Sequence, residues 1–229
     1  MEIRPIAHFR SPFPSKFGIP RQAGLAGGLR GQVVFEPEFR SPEAVRGLDG
    51  FDYLWLIWEF SGARAGSSGF KATVRPPRLG GNERVGVFAS RSPFRPNHLG
   101  LSSVRLASIE YDAAGEDGKP IGPVLEVLGA DLMDGTPIYD IKPYVKYADS
   151  HPDVRSGFTD SASWKPLEVI FPETVDCPDL DQAVLSEVLS LDPRPAYQDD
   201  PDKVYGLSFA GHEVRFKVAG TVLTVVGIE

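Results

Sequence analysis

LSSVRLASIEYDAAGEDGKPIGPVLEVLG (Leu101–Gly129) decides how this chain folds. Leu101 to Tyr111 alternates as a half-buried strand does, Gly115 to Gly118 supplies a turn, and Val124 to Gly129 reads as a strand that pairs back. No helical period intervenes. Toward the N-terminus, FDYLWLIWEF (51–60) reads as a central strand covered on most of both faces, because its aromatic residues favour a strand over a ten-residue helix. Gln32 to Glu36 and Ile3 to Phe9 add two more strands, separated by Ser11-Pro12-Phe13-Pro14 and by Gly27, Gly28 and Gly31. Strand following strand predicts a mainly β, antiparallel protein whose sheet is a closed or nearly closed barrel. Ser41-Pro42-Glu43 predicts a short helix with Ser41 as N-cap, ended by Gly47 and Gly50.

Beyond the deciding stretch, residues 145–163 read as a linker, and Leu167 to Phe171 as a strand. Leu180, Val184, Leu185, Val188 and Leu189 recur at helical spacing within Pro178 to Leu191, and Val204 to Ile228 reads as a small meander with turns at Ala210-Gly211 and Ala219-Gly220. The organisation expected is a barrel domain over 1–150 and a small α+β domain over 151–229.

The chain has 229 residues, 41% of them hydrophobic, and a net charge of −7. Residues 1–105 carry 15 Lys and Arg against 8 acids, whereas 106–229 carry 9 against 23, an asymmetry that points to a polyanion-facing surface on the first part. No apolar run approaches the roughly 20 residues a membrane helix needs, and MEIRPIAHFR has no signal-peptide character, so a soluble cytoplasmic protein is expected. Cys177 is the only cysteine, which excludes an internal disulfide and a Cys-based zinc site.

Two stretches carry candidate chemistry. Thr73 to Ser102 holds Arg75, Arg78, Arg84, Arg91 and Arg95 with Glu83 as its only acid, and only Val85 to Ala89 reads as a buried strand there. Its prolines and Gly80, Gly81 and Gly100 make shaped loops, where arginines can fork onto phosphate or carboxylate; ordinary solvated arginines are the plainer reading. DLMDGTPIYDIKPY (131–144) sets Asp131, Asp134 and Asp140 beside an Asp-Gly turn. It reads as a plain turn, as a metal site, or as a loop whose backbone bonds a heterocycle. No G-x-G-x-x-G follows a strand, which disfavours a dinucleotide fold.

PRQAGL (20–25), FDYLWL (51–56), TVRPPRLGG (73–81), GVFASRSPFRPN (86–97), DGTPIYDIKPY (134–144) and DPRPAY (192–197) together resemble the TrmO (TsaA-like, YaeB/VirR) family, in that family's order and over nearly the whole chain. The resemblance implies an S-adenosylmethionine-dependent methyltransferase on an antiparallel β-barrel. Its implied reaction is methylation of N6 of threonylcarbamoyladenosine beside the anticodon of threonine tRNA (position 37), by a homodimer without metal. Matched by motif, the donor contacts are Pro20, Arg21, Gln22, Ser61, Gly62, Arg91, Leu101, Leu132, Met133, Asp134 and Gly135. Ser61-Gly62 stands where some relatives have His-Gln, so backbone contacts alone carry over there. His98 stands where the family usually has proline, as a loop substitution or a contact to RNA.

Arg75, Arg78, Arg84 and Arg95 are the expected phosphate contacts. Arg194 and Tyr197 pair a cation with a stacking surface, or clasp the two modules together. Asp134, Tyr139 and Asp140 are candidates to accept the proton of a weakly basic N–H, and the sequence does not choose among them. A non-catalytic RNA-binding or donor-sensing module and a metal-dependent phosphoesterase are the alternatives.

Overall fold

In the N-terminal part of the molecule the strand pattern closes on itself. The computed structural model describes residues 2–63, 71–76, 83–161, 164–175, 177–194, 198 and 200–229. Six strands, β1 (Ala7–Arg10), β2 (Arg30–Phe35), β3 (Tyr53–Glu59), β6 (Leu99–Glu110), β7 (Val124–Leu128) and β8 (Thr136–Pro143), form a closed barrel in the order β1-β2-β7-β6-β3-β8. Every neighbouring pair is antiparallel. Closure leaves no sheet edge to pair with another chain. A two-stranded ribbon, β4 (Thr73–Val74) with β5 (Val85–Gly86), lies outside it.

Alternation explains the core. Leu54, Leu56 and Trp58 of β3 point inward with Val104, Leu125, Val127 and Ile138, all buried. Each such side chain contributes about 1.5–3 kcal/mol by leaving water. Two glycines make room for the largest rings: a Cβ on Gly31 would stand 2.2 Å from Phe9 Cζ, and one on Gly100 would stand 2.4 Å from Trp58 Cε2.

The C-terminal part is a four-stranded sheet in the order β10-β11-β12-β9, from β9 (Glu168–Ile170), β10 (Tyr205–Phe209), β11 (His212–Ala219) and β12 (Val222–Ile228). β9 joins it parallel to β12. Helix α2 (Gln182–Ser190) starts at Asp181, whose Oδ1 accepts the amides of Ala183 (3.0 Å) and Val184 (3.2 Å) and so satisfies two of its orphan donors. Its buried face is Leu185, Val188 and Leu189.

This second core is not made by the C-terminal part alone. Phe13, Ala26 and Leu29, from the segment between β1 and β2, are buried in it, with Phe17 and Ile19 packed against it. Phe13 meets Phe209 edge-on at 5.2 Å, the Ala210 amide donates to Pro12 O (2.8 Å), and the Gly28 amide donates to Glu187 Oε2 (2.8 Å). Gly18 has φ +83° and no room for a Cβ, which would meet Leu207 at 2.3 Å.

Several expectations change. Residues 131–144 are not one loop: Thr136–Pro143 is β8, the strand that closes the barrel between β1 and β3. Val85 to Ala89 is a strand only at Val85–Gly86 and then a 3-10 turn, with Val87 alone fully buried. Pro42–Val45 is likewise a 3-10 turn, and Ser41 makes no side-chain cap. The segment read as a linker contains a one-turn helix α1 (Lys146–Asp149), whose Asp149 accepts the Val145 amide and the Trp55 indole, contacts that lower its pKa.

Candidate functional site

Four pieces of chain meet at one rim of the barrel. The 20–25 loop is fastened to the turn after β7 because the Gly24 amide donates to Gly129 O (2.8 Å), and Gly129 has φ +74°, which favours glycine. One residue earlier, the Ala23 amide donates to the Asp131 carboxylate. Asp131 Oδ1 also accepts the Ser102 hydroxyl of β6 (2.5 Å), and Ser102 Oγ accepts the indole N–H of Trp58 (3.0 Å). From the fourth piece, the basic loop after β5, Arg91 Nη1 donates to Gln22 Oε1 (2.5 Å), and its charge acts on Asp131. Burial raises the Asp131 carboxyl from its ordinary pKa, against the opposing pull of the Ser102 bond, the backbone amides and Arg91.

The residues matched to the donor fall around this knot. Gln22 and Arg91 are bonded to each other. Ser61 and Gly62 form a 3-10 turn after β3, and a Cβ on Gly62 would sit 3.7 Å from Met133 Cε, which brings that turn beside the 132–135 loop. Pro20 and Leu132 are buried, so Leu132 can present only its backbone, whereas Arg21, Asp134 and Gly135 are exposed and Leu101 is 54% exposed. Gly135 has φ +71° and open space where a Cβ would be.

The three base candidates have different surroundings. Asp134 Oδ1 accepts the Ser11 amide (3.0 Å), and its second oxygen has no hydrogen bond to a described residue. Tyr139 lies at a bulge in the β3–β8 pairing and donates its hydroxyl proton to Glu59, which is 5% exposed. Asp140 is ion-paired with Lys142 (2.9 Å) and accepts the Ile141 amide (2.9 Å). Asp131, Asp134 and Asp140 thus serve three separate sets of partners, and no cluster of His, Cys, Asp and Glu fit for a metal occurs among the described residues.

The expected phosphate contacts divide. Arg75 and Arg84 are exposed; Arg78, Gly80, Gly81 and Tyr197 lie outside the described residues. Arg95 is turned onto its own loop, donating to Ser90 O (2.6 Å) and Val87 O (3.3 Å), with its guanidinium 5.9 Å from the Phe88 ring. Arg194 is 9% exposed and forks onto Asp192, two residues away, through Nε (2.9 Å) and Nη2 (3.0 Å), a local ion pair within the C-terminal part. His98 adopts φ +51° in the same basic loop, its Nδ1 3.2 Å from Pro93 O and its carbonyl accepting the Phe60 amide (2.8 Å).

Sequence alone assigns no role to Ser102, Trp58 or Glu59, and groups Asp131 with Asp134 and Asp140 as a turn, metal-site or ligand-loop carboxylate. The signal for these lies in strand register, which sets Trp58 opposite Gly100 and Ser102 two residues further along β6. Phe88 (71% exposed) and Phe94 (51%) also went unread, though two phenylalanines in an Arg- and Pro-rich stretch are a legible sign of a contact surface.

Comparison with known proteins agrees with this layout. The family model described as tRNA-methyltransferase O N-terminal domain matches residues 8–150, and that described as TrmO C-terminal domain matches 166–229. The tRNA (adenine(37)-N6)-methyltransferase of Escherichia coli K12 is 37% identical, over 100% of this chain and 97% of that protein. A Pseudomonas aeruginosa relative with S-adenosylmethionine-dependent methyltransferase in its name is 41% identical over 90% of this chain and 87% of its own length. The crystal structure of TrmO from Pseudomonas aeruginosa superposes with a TM-score of 0.76 at 29% identity, covering 100% of this chain and 98% of that one. With both of its parts matched, this chain belongs to the tRNA-methyltransferase O family.

Proposed function

We propose that this protein transfers a methyl group from S-adenosylmethionine to N6 of adenosine 37 of tRNA, in its threonylcarbamoyl form and in threonine tRNA, and that it works as a cytoplasmic homodimer. The observation that carries the reading is the knot at the barrel rim, where Arg91, Gln22 and the 131–135 loop converge from three parts of the chain. Membership of the family supports the reaction, and the relatives' names support the donor. Among the described residues no helix is long and apolar enough to cross a membrane.

The residues present fit this donor. Arg91 is exposed beside a side-chain amide, the arrangement that takes a carboxylate, and Leu101 offers an exposed apolar side chain to a purine. Gly62 and Gly135 let a ligand approach the backbone. When bound, S-adenosylmethionine supplies an electrophilic methyl on a sulfonium. The chain's own work is to hold donor and acceptor in line, worth ~7 kcal/mol or more, and to take the N6 proton. Asp134 is our base: it stands in the 132–135 loop, is exposed, and has a carboxylate oxygen without a hydrogen bond to a described residue. Arg75 and Arg84 form the phosphate-facing part, with Phe88 and Phe94 beside them in sequence as surfaces on which bases can stack. The local ion pair with Asp192 supports a role for Arg194 in holding that corner of the chain instead.

Nucleoside mass spectrometry of threonine tRNA incubated with the protein and S-adenosylmethionine tests the whole reading. A gain of one methyl on modified A37, lowered about 100-fold or more in rate by Asp134→Asn, is the expected result. Binding of tRNA without any methyl gain would make the protein a binding module; a gain abolished by EDTA would make it metal-dependent.

A further inference from the structure

Asp131 is matched to no donor contact, yet it bonds to the chain neighbours of Gln22 and Leu101 and feels the charge of Arg91. Its carboxylate receives the Ala23 amide, next to Gln22; it receives the Ser102 hydroxyl, next to Leu101; and the charge of Arg91 acts on it. Those partners come from the 20–25 loop, from β6 and from the basic loop. Ser102 is itself fixed by the indole of Trp58, a buried barrel residue. We propose that Asp131, in its ionised form, is the positioning residue of the site, a single carboxylate that sets the mutual placement of Gln22, Arg91 and Leu101 from inside the rim. The proposal rests on the donor site described above.

A carboxylate kept charged against burial is costly for the fold. A carboxyl whose pKa is raised on folding adds stability below its unfolded value of 3.8 and loses that contribution as pH rises through its folded value. At neutral pH the ionised Asp131 therefore weakens the fold relative to a neutral side chain of the same shape. Arg91 is the charged group set against it; the Ser102 hydroxyl and the Ala23 amide are its other partners. An ordinary structural carboxylate would show the opposite balance. Positioning and stability thus make opposite predictions for the same variant.

The test is S-adenosylmethionine calorimetry and thermal unfolding of full-length wild type, Asp131→Asn and Ser102→Ala from neutral pH down to the acid limit of the folded state. Asp131→Asn should bind about tenfold or more weakly at pH 7.5 with an unchanged or higher Tm. Wild-type affinity should fall on acidification as Asp131 takes up its proton, while the Asn variant keeps a flat profile. Ser102→Ala, which removes one partner and leaves the charge, should weaken binding several-fold and move the fall in affinity to higher pH, because the Ser102 bond holds the Asp131 pKa down; it carries the test if Asp131→Asn does not fold. Wild-type affinity in Asp131→Asn, or a lowered Tm with a pH profile parallel to wild type, would overturn the proposal. No binding heat from the wild type is a different failure, that of the donor site itself.

Discussion

Two arginine-bearing corners of this molecule look alike in sequence and behave differently. At the barrel rim, SRSPFRPN sets Arg91 and Arg95 among prolines; at the end of α2, DPRP sets Arg194 in a similar frame. Arg194 is 9% exposed and has two of its nitrogens on Asp192, two residues away. Arg91 is exposed and reaches Gln22, 69 residues away in the chain. Arg95, between these cases, is committed to two carbonyls of its own loop. Proline rigidity is shared by all three, so it does not separate them. An arginine closed onto a local acid fixes a corner, and one tied across the chain can exchange its partner for a ligand.

Substitutions can break this contrast. Arg91→Ala should weaken donor binding about tenfold or more, as expected for a lost hydrogen bond to a charged group, with little change in Tm; calorimetry and thermal unfolding read the two separately. Arg194→Ala should do the reverse, lowering stability by about 2 kcal/mol, less than a fully buried pair because Asp192 remains partly exposed, and leaving donor affinity near wild type. Urea unfolding checks it, and a selective loss of tRNA affinity without loss of stability would move Arg194 back to an RNA face. The smallest effects belong to the exposed Arg75 and Arg84. Each change to alanine should lower the slope of log K against log salt for tRNA by about 0.7–0.9, measured between roughly 50 and 200 mM. Wild-type slopes in both would leave these two arginines merely solvated.

Most of the barrel was legible because strand alternation and turn chemistry agree over β3, β6 and β7. β8 was not, because Asp134-Gly135 and two prolines mark a loop by every local rule. Its prolines, 137 and 143, lie at the second and last positions of the strand, where a missing N–H costs least, and β1 and β3 flank the rest. Gln22 and Arg91 were within reach of motif comparison. Asp131 and Ser102 were not, since their meeting depends on how the turn after β7 folds against β6, which no spacing along the chain encodes. Segment 13–29 misled in another way: its glycines and prolines mark an irregular course, but nothing local says that Phe13, Phe17 and Ile19 belong to a core assembled from residues after 166.

That last feature bears on how the protein is made. Phe209 and Leu207, which pack against Phe13 and Gly18, leave the ribosome roughly 190 residues after them, about 10–40 s at ordinary elongation rates. Until then the loop that carries Gln22 has no cover on the side of the second core. Synthesis itself therefore sets the order of maturation: the barrel can close first, and the segment that carries Gln22 is packed on its other side only after Leu207 and Phe209 have followed.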